Sequence, residues 1–186
     1  MNKPIDITDV VLKTGRLTLR PWEEKDVQDM FAYARVDGVG QMAGWTPHAD
    51  LEESARIVQM FIAGRKTFAL EFEGRVIGSL GIEEYNLLYH PELDDKQGRE
   101  IGYVLSKEYW GRGLMPEAVA AVIGYLFDAV GLDFIIVGHF VWNSQSRRVV
   151  EKCGFRFLRA VTLETRCGTQ EETLDYILWN PNRREE

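Results

Sequence analysis

The sequence predicts a mixed α/β domain: one mostly antiparallel sheet of seven strands flanked by about four helices, with residues 1–186 as a single unit. The apolar period changes from that of a helix to that of a strand near residue 66. A helix apolar on almost every side then stands between two strand-like runs, and a pair of alternating runs closes the chain. A length of 186 residues is ample for one full core.

"RLTLRP" reads as a short strand ending at Pro21. "EEKDVQDMFAYA" places Val27, Met30, Phe31 and Ala34 on one helical face, with acidic residues favouring its first turn. After a loop with Gly38, Gly40, Gly44 and Pro47, "ADLEESARIVQMFIAG" predicts a second amphipathic helix, capped by Asp50 and stopped at Gly64. "KTFALEF" then sets Phe68, Leu70 and Phe72 on one face of a strand. "EGR" turns the chain into "VIGSLGIEEYNL", where Val76, Leu80 and Ile82 recur in step as the other arm of a hairpin.

The polar loop "YHPELDDKQG" leads into a fourth strand, "REIGYVLS". "GLMPEAVAAVIGYLFDAVG" is a helix with Pro116 in its first turn, where the missing N–H removes no bond. "DFIIVGHFVW" is a fifth strand, parallel to the fourth because a helix separates them. "NSQSRRVVEKCG" predicts a last helix, capped by Asn143 and ended by Gly154. "FRFLRAVTLET" and "ETLDYILW" close the chain as a hairpin. Flexible ends are expected at about 1–9 and 181–186.

A formal charge of −7 argues against a nucleic-acid backbone as the main partner, since binding there rests on surplus Lys and Arg. The longest apolar stretch, "AVAAVIGYLFDAVGL", is interrupted by Asp128 and two glycines. With no signal-type run at the N-terminus, the expectation is neither membrane span nor export, and a cytoplasmic protein. Cys153 and Cys167 read as reduced thiols. His48, His90 and His139 lack a second ligand at metal spacing, so no metal is expected, and His139 reads as a hydrogen-bonded core residue.

"YWGRGLMPEA" is the stretch with chemical content. Where glycines feed a helix, its first N–H groups and its dipole make a place for a phosphate or pyrophosphate. Gly111 and Gly113 permit close approach, and Arg112 adds charge. A purely structural link fits the same residues.

Together, "EIGYVLSKEYWGRGLMPEAV", "NSQSRRVVEKCGF" and "GRLTLRPWEEKD" resemble the GNAT superfamily of acyl-CoA N-acetyltransferases, in its RimJ/RimL-like branch, over essentially the whole chain. The resemblance implies the GNAT fold, with strands four and five splayed apart. It implies acetyl-CoA as co-substrate, its pyrophosphate on Gly111, Arg112, Gly113, Leu114 and Met115. Its pantetheine arm would pair with the backbone of Tyr103, Val104 and Leu105, and the family's cofactor-contacting Asn falls on Asn143. Trp110 and Met115 depart from the family's turn pattern.

The resemblance further implies Glu100 as general base, with an ion pair to Arg99 as the alternative reading. Where many members carry a tyrosine acid this chain has Val150, so Ser146 is the expected proton donor, or else a cap contact. The Val104 N–H is the expected donor to the oxyanion. Arg147 and Arg148 fit either a solvated face or the adenosine phosphates. Trp45, His48, Tyr85, Tyr89 and His90, on two variable loops, are candidates for the acceptor side, or else loop packing.

The expected reaction is acetyl transfer to a primary amine, most simply the α-amine of a protein or peptide N-terminus. A small polyamine or antibiotic-like amine is the alternative acceptor, and a non-catalytic acyl-CoA-binding domain the alternative class. The expected assembly is a monomer or homodimer.

Overall fold

A computed structural model describes residues 4–183. Eight strands form one sheet, ordered β1-β2-β3-β4-β5-β6-β8-β7. They are β1 (Leu12–Lys13), β2 (Leu17–Pro21), β3 (Thr67–Phe72), β4 (Arg75–Glu83), β5 (Gly98–Leu105), β6 (Phe134–Phe140), β7 (Arg156–Glu164) and β8 (Gln170–Trp179). The helices are α1 (Val27–Ala34), α2 (Leu51–Gly64), α3 (Leu114–Gly124) and α4 (Ser144–Lys152). The two-residue β1 accounts for the eighth strand; the predicted fourth and fifth strands are β5 and β6. Every neighbouring pair is antiparallel except β5 with β6.

Local chemistry sets the element ends. Asp50 Oδ1 accepts from the Glu53 N–H (2.8 Å) and starts α2 as predicted. The left-handed residue that ends this helix is Arg65 (φ 51°), one beyond Gly64. Arg20 of β2 makes a two-pronged pair with the buried Asp26 (2.8 Å at both contacts) and reaches Glu71 of β3 (2.7 Å), fixing the start of α1 against the sheet. The buried face of α1 is Met30, Tyr33 and Ala34, a slight rotation from the predicted one, with Phe31 only half-buried. After α3 the chain continues as a π-helical segment over Tyr125–Val130 and stops at Gly131, whose φ is 78°.

The main core lies between the sheet and α3, with Phe68, Leu70, Leu80, Ile101, Val119 and Leu126 among its fully buried side chains. A second cluster, including Trp22, Met30, Tyr33 and Val58, packs α1 and α2 on the other face. Ile7 joins the main core at 1% exposure, and its N–H bonds the Arg65 carbonyl (2.9 Å). The N-terminal stretch expected to be loose is therefore anchored within its described part; residues 1–3 and 184–186 lie outside the described residues.

One predicted face is corrected. A register shift at Leu70/Glu71 inserts an extra residue into β4, so Ile77 joins Leu80 and Ile82 in the main core while Val76 points to the second cluster. Strand packing is tight where β5 begins. A Cβ on Gly98 would lie 2.1 Å from Cζ of the fully buried Phe134. Gly98→Ala should cost about 1–3 kcal/mol, read as a lower denaturation midpoint; an unchanged midpoint would mean that the Phe134 ring can move aside.

Candidate active site

β5 and β6 stay paired only from Gly98↔Phe134 to Ile101↔Val137. Beyond that point they part: Gly102–Leu105 remains on β4, while Gly138–Phe140 goes with β8. The parting opens a cavity of about 690 Å³ through the sheet. Glu100, Tyr103, Val104, Leu105, Gly111, Gly113, Leu114, Met115, Asn143 and Ser146 all line it, so sites 46 residues apart in sequence meet there.

The Ser106 N–H donates to the Ile77 carbonyl (2.7 Å), which sets the alternation of the β4–β5 ladder. In that register Val104 exchanges its backbone bonds with Ser79 of β4, while Tyr103 and Leu105 turn theirs toward β6. The expectation that the Val104 N–H serves an oxyanion is thereby overturned. The Leu105 carbonyl accepts from the Trp110 indole (2.8 Å), leaving the Leu105 N–H and both backbone groups of Tyr103 as the ones facing the gap.

The glycine turn is braced from behind. Arg16 Nη1 donates to the Arg112 carbonyl (2.9 Å), and Arg16 also pairs with Glu117 of α3 (2.7 Å). Gly111 and Gly113 both have φ 76°, left-handed values that favour glycine, and a Cβ on Gly111 would meet nothing within 4 Å. The start of α3, Gly113 to Pro116, lines the cavity, with Arg148 and Lys152 of α4 also on its wall. Arg112 is not on that wall: its guanidinium lies over the Tyr109 ring, 5.0 Å from the centroid. Arg147 is held by Glu151 (2.8 Å).

On the α4 side, Asn143 does two jobs. Its Oδ1 accepts from the Ser146 N–H (3.0 Å), capping α4, and its Nδ2 donates to the Met42 carbonyl (3.1 Å), tying the turn at Gly40–Ala43 to the site. Tyr103 Oη lies 2.8 Å from Ser146 Oγ. Val150 is buried in the main core.

On the opposite face, Glu100 stands across from Glu83 of β4 and Ile136 of β6. Two residues beyond Ile136, a Cβ on Gly138 would lie 2.7 Å from Asp175 Oδ1 and 3.1 Å from Thr173 Cγ2, which puts Asp175 and Thr173 on the Glu100 face. Burial first, then the nearby charges of Asp175 and Glu83, raises the Glu100 pKa to about 7. The side chains of Arg99 and Glu100 leave β5 on opposite faces, so their pairing is not favoured.

The five candidates for the acceptor side do not line the cavity. Trp45 packs on His48, ring centroids 5.2 Å apart, and His48 Nδ1 lies 2.8 Å from Ser54 Oγ. Tyr85 is buried against Phe134 and donates to the Leu93 carbonyl (2.8 Å); Tyr89 donates to the Thr162 carbonyl (3.3 Å). His90 Nε2 lies 3.1 Å from Asp175 Oδ2, both side chains buried. The wall on that face comes instead from Met42, Phe140, Leu163 and Thr173, with Gly138 between them. His139, buried and hydrogen-bonded through Nδ1 to the Phe140 carbonyl (2.9 Å), also reaches the cavity. Among the described residues, no group of three or more His, Cys, Asp and Glu is arranged to hold a metal, and no helix is long and apolar enough to cross a membrane.

Comparison with known proteins bears directly on this gap. Residues 16–156 match the family model for the acetyltransferase (GNAT) domain. The chain is 29% identical over 181 residues to the Bacillus subtilis protein named "Uncharacterized N-acetyltransferase YoaA", covering 92% of this chain and 97% of that one. It superposes with a TM-score of 0.80, at 23% identity, on an acetyltransferase (GNAT family) from Bacillus anthracis, covering 92% and 99% of the two chains. It does so with 0.72, at 21% identity, on ribosomal-protein-S5-alanine acetyltransferase from Vibrio fischeri, covering 95% and 100%.

Proposed function

Because the chain belongs to the GNAT family of N-acetyltransferases, whose co-substrate is acetyl-CoA, we propose that it acetylates the α-amine of a protein or peptide N-terminus, with Glu100 as general base. The observation that carries this reading is the place of the Glu100 carboxyl on the wall of the opened sheet, where burial raises its pKa to about 7. A base of that strength suits an α-amine, with a pKa of about 8. A lysine-like amine near 10.4 requires roughly 3 kcal/mol more to deprotonate. The likeness to an S5-alanine acetyltransferase supports the same acceptor class.

The residues fit the co-substrate. The gap-facing backbone of Tyr103 and Leu105 suits an amide-bearing arm, and the α3 N-terminus with Arg148 and Lys152 suits a pyrophosphate. Bound acetyl-CoA supplies the thioester that the amine attacks. Glu100, ionised above pH 7, takes the amine proton; Ser146 directs its hydroxyl at the departing sulfur from the α4 side. Met42, Phe140 and Leu163 exclude water around the amine.

Peptides with free N-termini, the same peptides acetylated at the N-terminus but carrying lysine, and spermidine should be compared by thiol release from acetyl-CoA. Free N-termini should give kcat/KM at least about 10-fold above the others. Turnover confined to spermidine or to lysine side chains would overturn the acceptor class.

A further inference from the structure

We propose that Tyr103 is a positioning residue for the reaction, its phenol O–H donating to Ser146 Oγ so that the serine's own hydrogen is held toward the sulfur of the leaving group. The proposal rests on the role of Ser146 given above. Its basis is geometric. Tyr103 Oη and Ser146 Oγ are 2.8 Å apart, and both residues line the cavity on its α4 side.

A hydroxyl on a helix commonly turns back to a carbonyl of its own preceding turn, which would point the serine hydrogen away from the cavity. Here the partner comes from another element, 43 residues away, through a rigid ring on β5. The ring packs against the main core, so the hydroxyl has little freedom to leave. Ser146 is fixed on its other side as well, since its N–H is bound by Asn143 Oδ1. A serine hydroxyl that accepts one hydrogen bond has its hydrogen left to give.

The direction is assigned on distance: the phenol's one hydrogen has two acceptors within reach, Ser146 Oγ at 2.8 Å and the Ser146 carbonyl at 3.4 Å, and takes the nearer. Burial holds the phenol well above its ordinary value, so Tyr103 keeps its proton throughout the working range and has it to give. No proton has to leave it. In the transfer, the new N–C bond forms, the C–S bond breaks, its electron pair goes to sulfur, and the amine proton goes to Glu100. The thiolate is stabilised by the Ser146 hydrogen bond and is protonated afterwards from solvent. Tyr103 thus never touches the reacting atoms; it orders the group that does.

The test is a double-mutant cycle read in two ways. Tyr103→Phe keeps the ring, and thermal denaturation checks that it folds. With saturating substrates, Tyr103→Phe and Ser146→Ala should each lower kcat about 10-fold with acetyl-CoA affinity unchanged, and the double variant should fall no further than Ser146→Ala alone. Independently of turnover, the pKa of the thiol in the enzyme–coenzyme A complex, followed by thiolate absorbance, should rise in Tyr103→Phe and Ser146→Ala to the same extent. Two losses that multiply, or a thiol pKa unmoved by Tyr103→Phe while Ser146→Ala moves it, would overturn the positioning role alone. An unaltered kcat and thiol pKa in Ser146→Ala would overturn the serine's role and with it this one. Neither outcome touches the acceptor class, which the peptide comparison decides separately.

Discussion

Glu100→Gln should lose about 10²-fold or more in kcat/KM at pH 7 and, above neutrality, gain stability. Both effects follow from one buried carboxyl. The folded protein holds the Glu100 proton to about pH 7, whereas an ordinary glutamate releases it near 4.5. The folded state therefore binds more protons than the unfolded state between those values, and stability falls as pH rises through that window. At ~1.4 kcal/mol for each pH unit the cost of ionising the buried group reaches on the order of 3 kcal/mol above pH 7, before solvent screening lowers it. Glutamine has no such ionisation, so its advantage should be absent at pH 4.5 and complete by pH 8. Wild-type activity should climb through an apparent pKa near 7 as the base ionises. The mutant's deficit should shrink at pH 9 with an α-amine, which solvent then deprotonates, and persist with a lysine-like amine. Denaturant midpoints and rates across pH 4.5 to 9.5 test both halves. Parallel stability curves with unequal rates would leave the base but remove its elevated pKa; identical rates would remove the base.

Acetyl-CoA binding should fall about 10²-fold in Gly111→Asp while Gly111→Asn stays near wild type. Asparagine and aspartate both tolerate the left-handed φ of 76° at this position, at a shared cost of about 1 kcal/mol, so the pair isolates charge. Two like charges about 4 Å apart at a protein surface repel by roughly 4 kcal/mol at an effective dielectric of 20, reduced by salt. Gly113 is the poorer position for this experiment, because its Cβ would lie 3.6 Å from Arg16 Nη2, which would neutralise the new carboxylate. Titration calorimetry on folded variants decides it. Equal affinities in Gly111→Asp and wild type would take the turn out of the binding site.

Periodicity carried most of the fold into view because each strand and helix buries one face, and that face is written locally. β1, with two residues, has no period to detect. The placement of β8 between β6 and β7 depends on pairing across the sheet, which local pattern does not encode. The shift that sends Ile77 inward comes from an extra residue facing Leu70/Glu71, visible only in the pair of strands.

Of the residues that line the cavity, the glycines of the turn, Glu100, Asn143 and Ser146 were legible as candidates because each sits at an element end or in a motif. Aromatic and histidine residues on loops read as candidates for the acceptor side, yet Tyr85 packs in a small core and His90 is buried against Asp175. Thr173 and Gly138 carry no signal by type. Asp175 does carry one: an acidic residue in step with Thr173 and Ile177 on a buried strand face asks for a reason, which its bond to His90 and its approach to Glu100 provide. The Tyr103–Ser146 contact lay out of reach, since it needs the distance between β5 and α4.

The parting of β5 from β6 amounts to a sheet edge enclosed within a protein. An open edge ordinarily invites another strand, but this one is a few residues long and roofed by α3 and α4, so only a narrow, peptide-like chain can complete it. The protein therefore keeps part of its ladder unfinished, and in the binding mode proposed above acetyl-CoA would finish it. Amide hydrogen exchange should register this as protection appearing at Tyr103 and Leu105 on addition of acetyl-CoA, at residues whose neighbours Val104 and Gly102 are already held by β4. Substrate loading and local folding are then one event, and the thermal midpoint should rise with acetyl-CoA concentration by mass action.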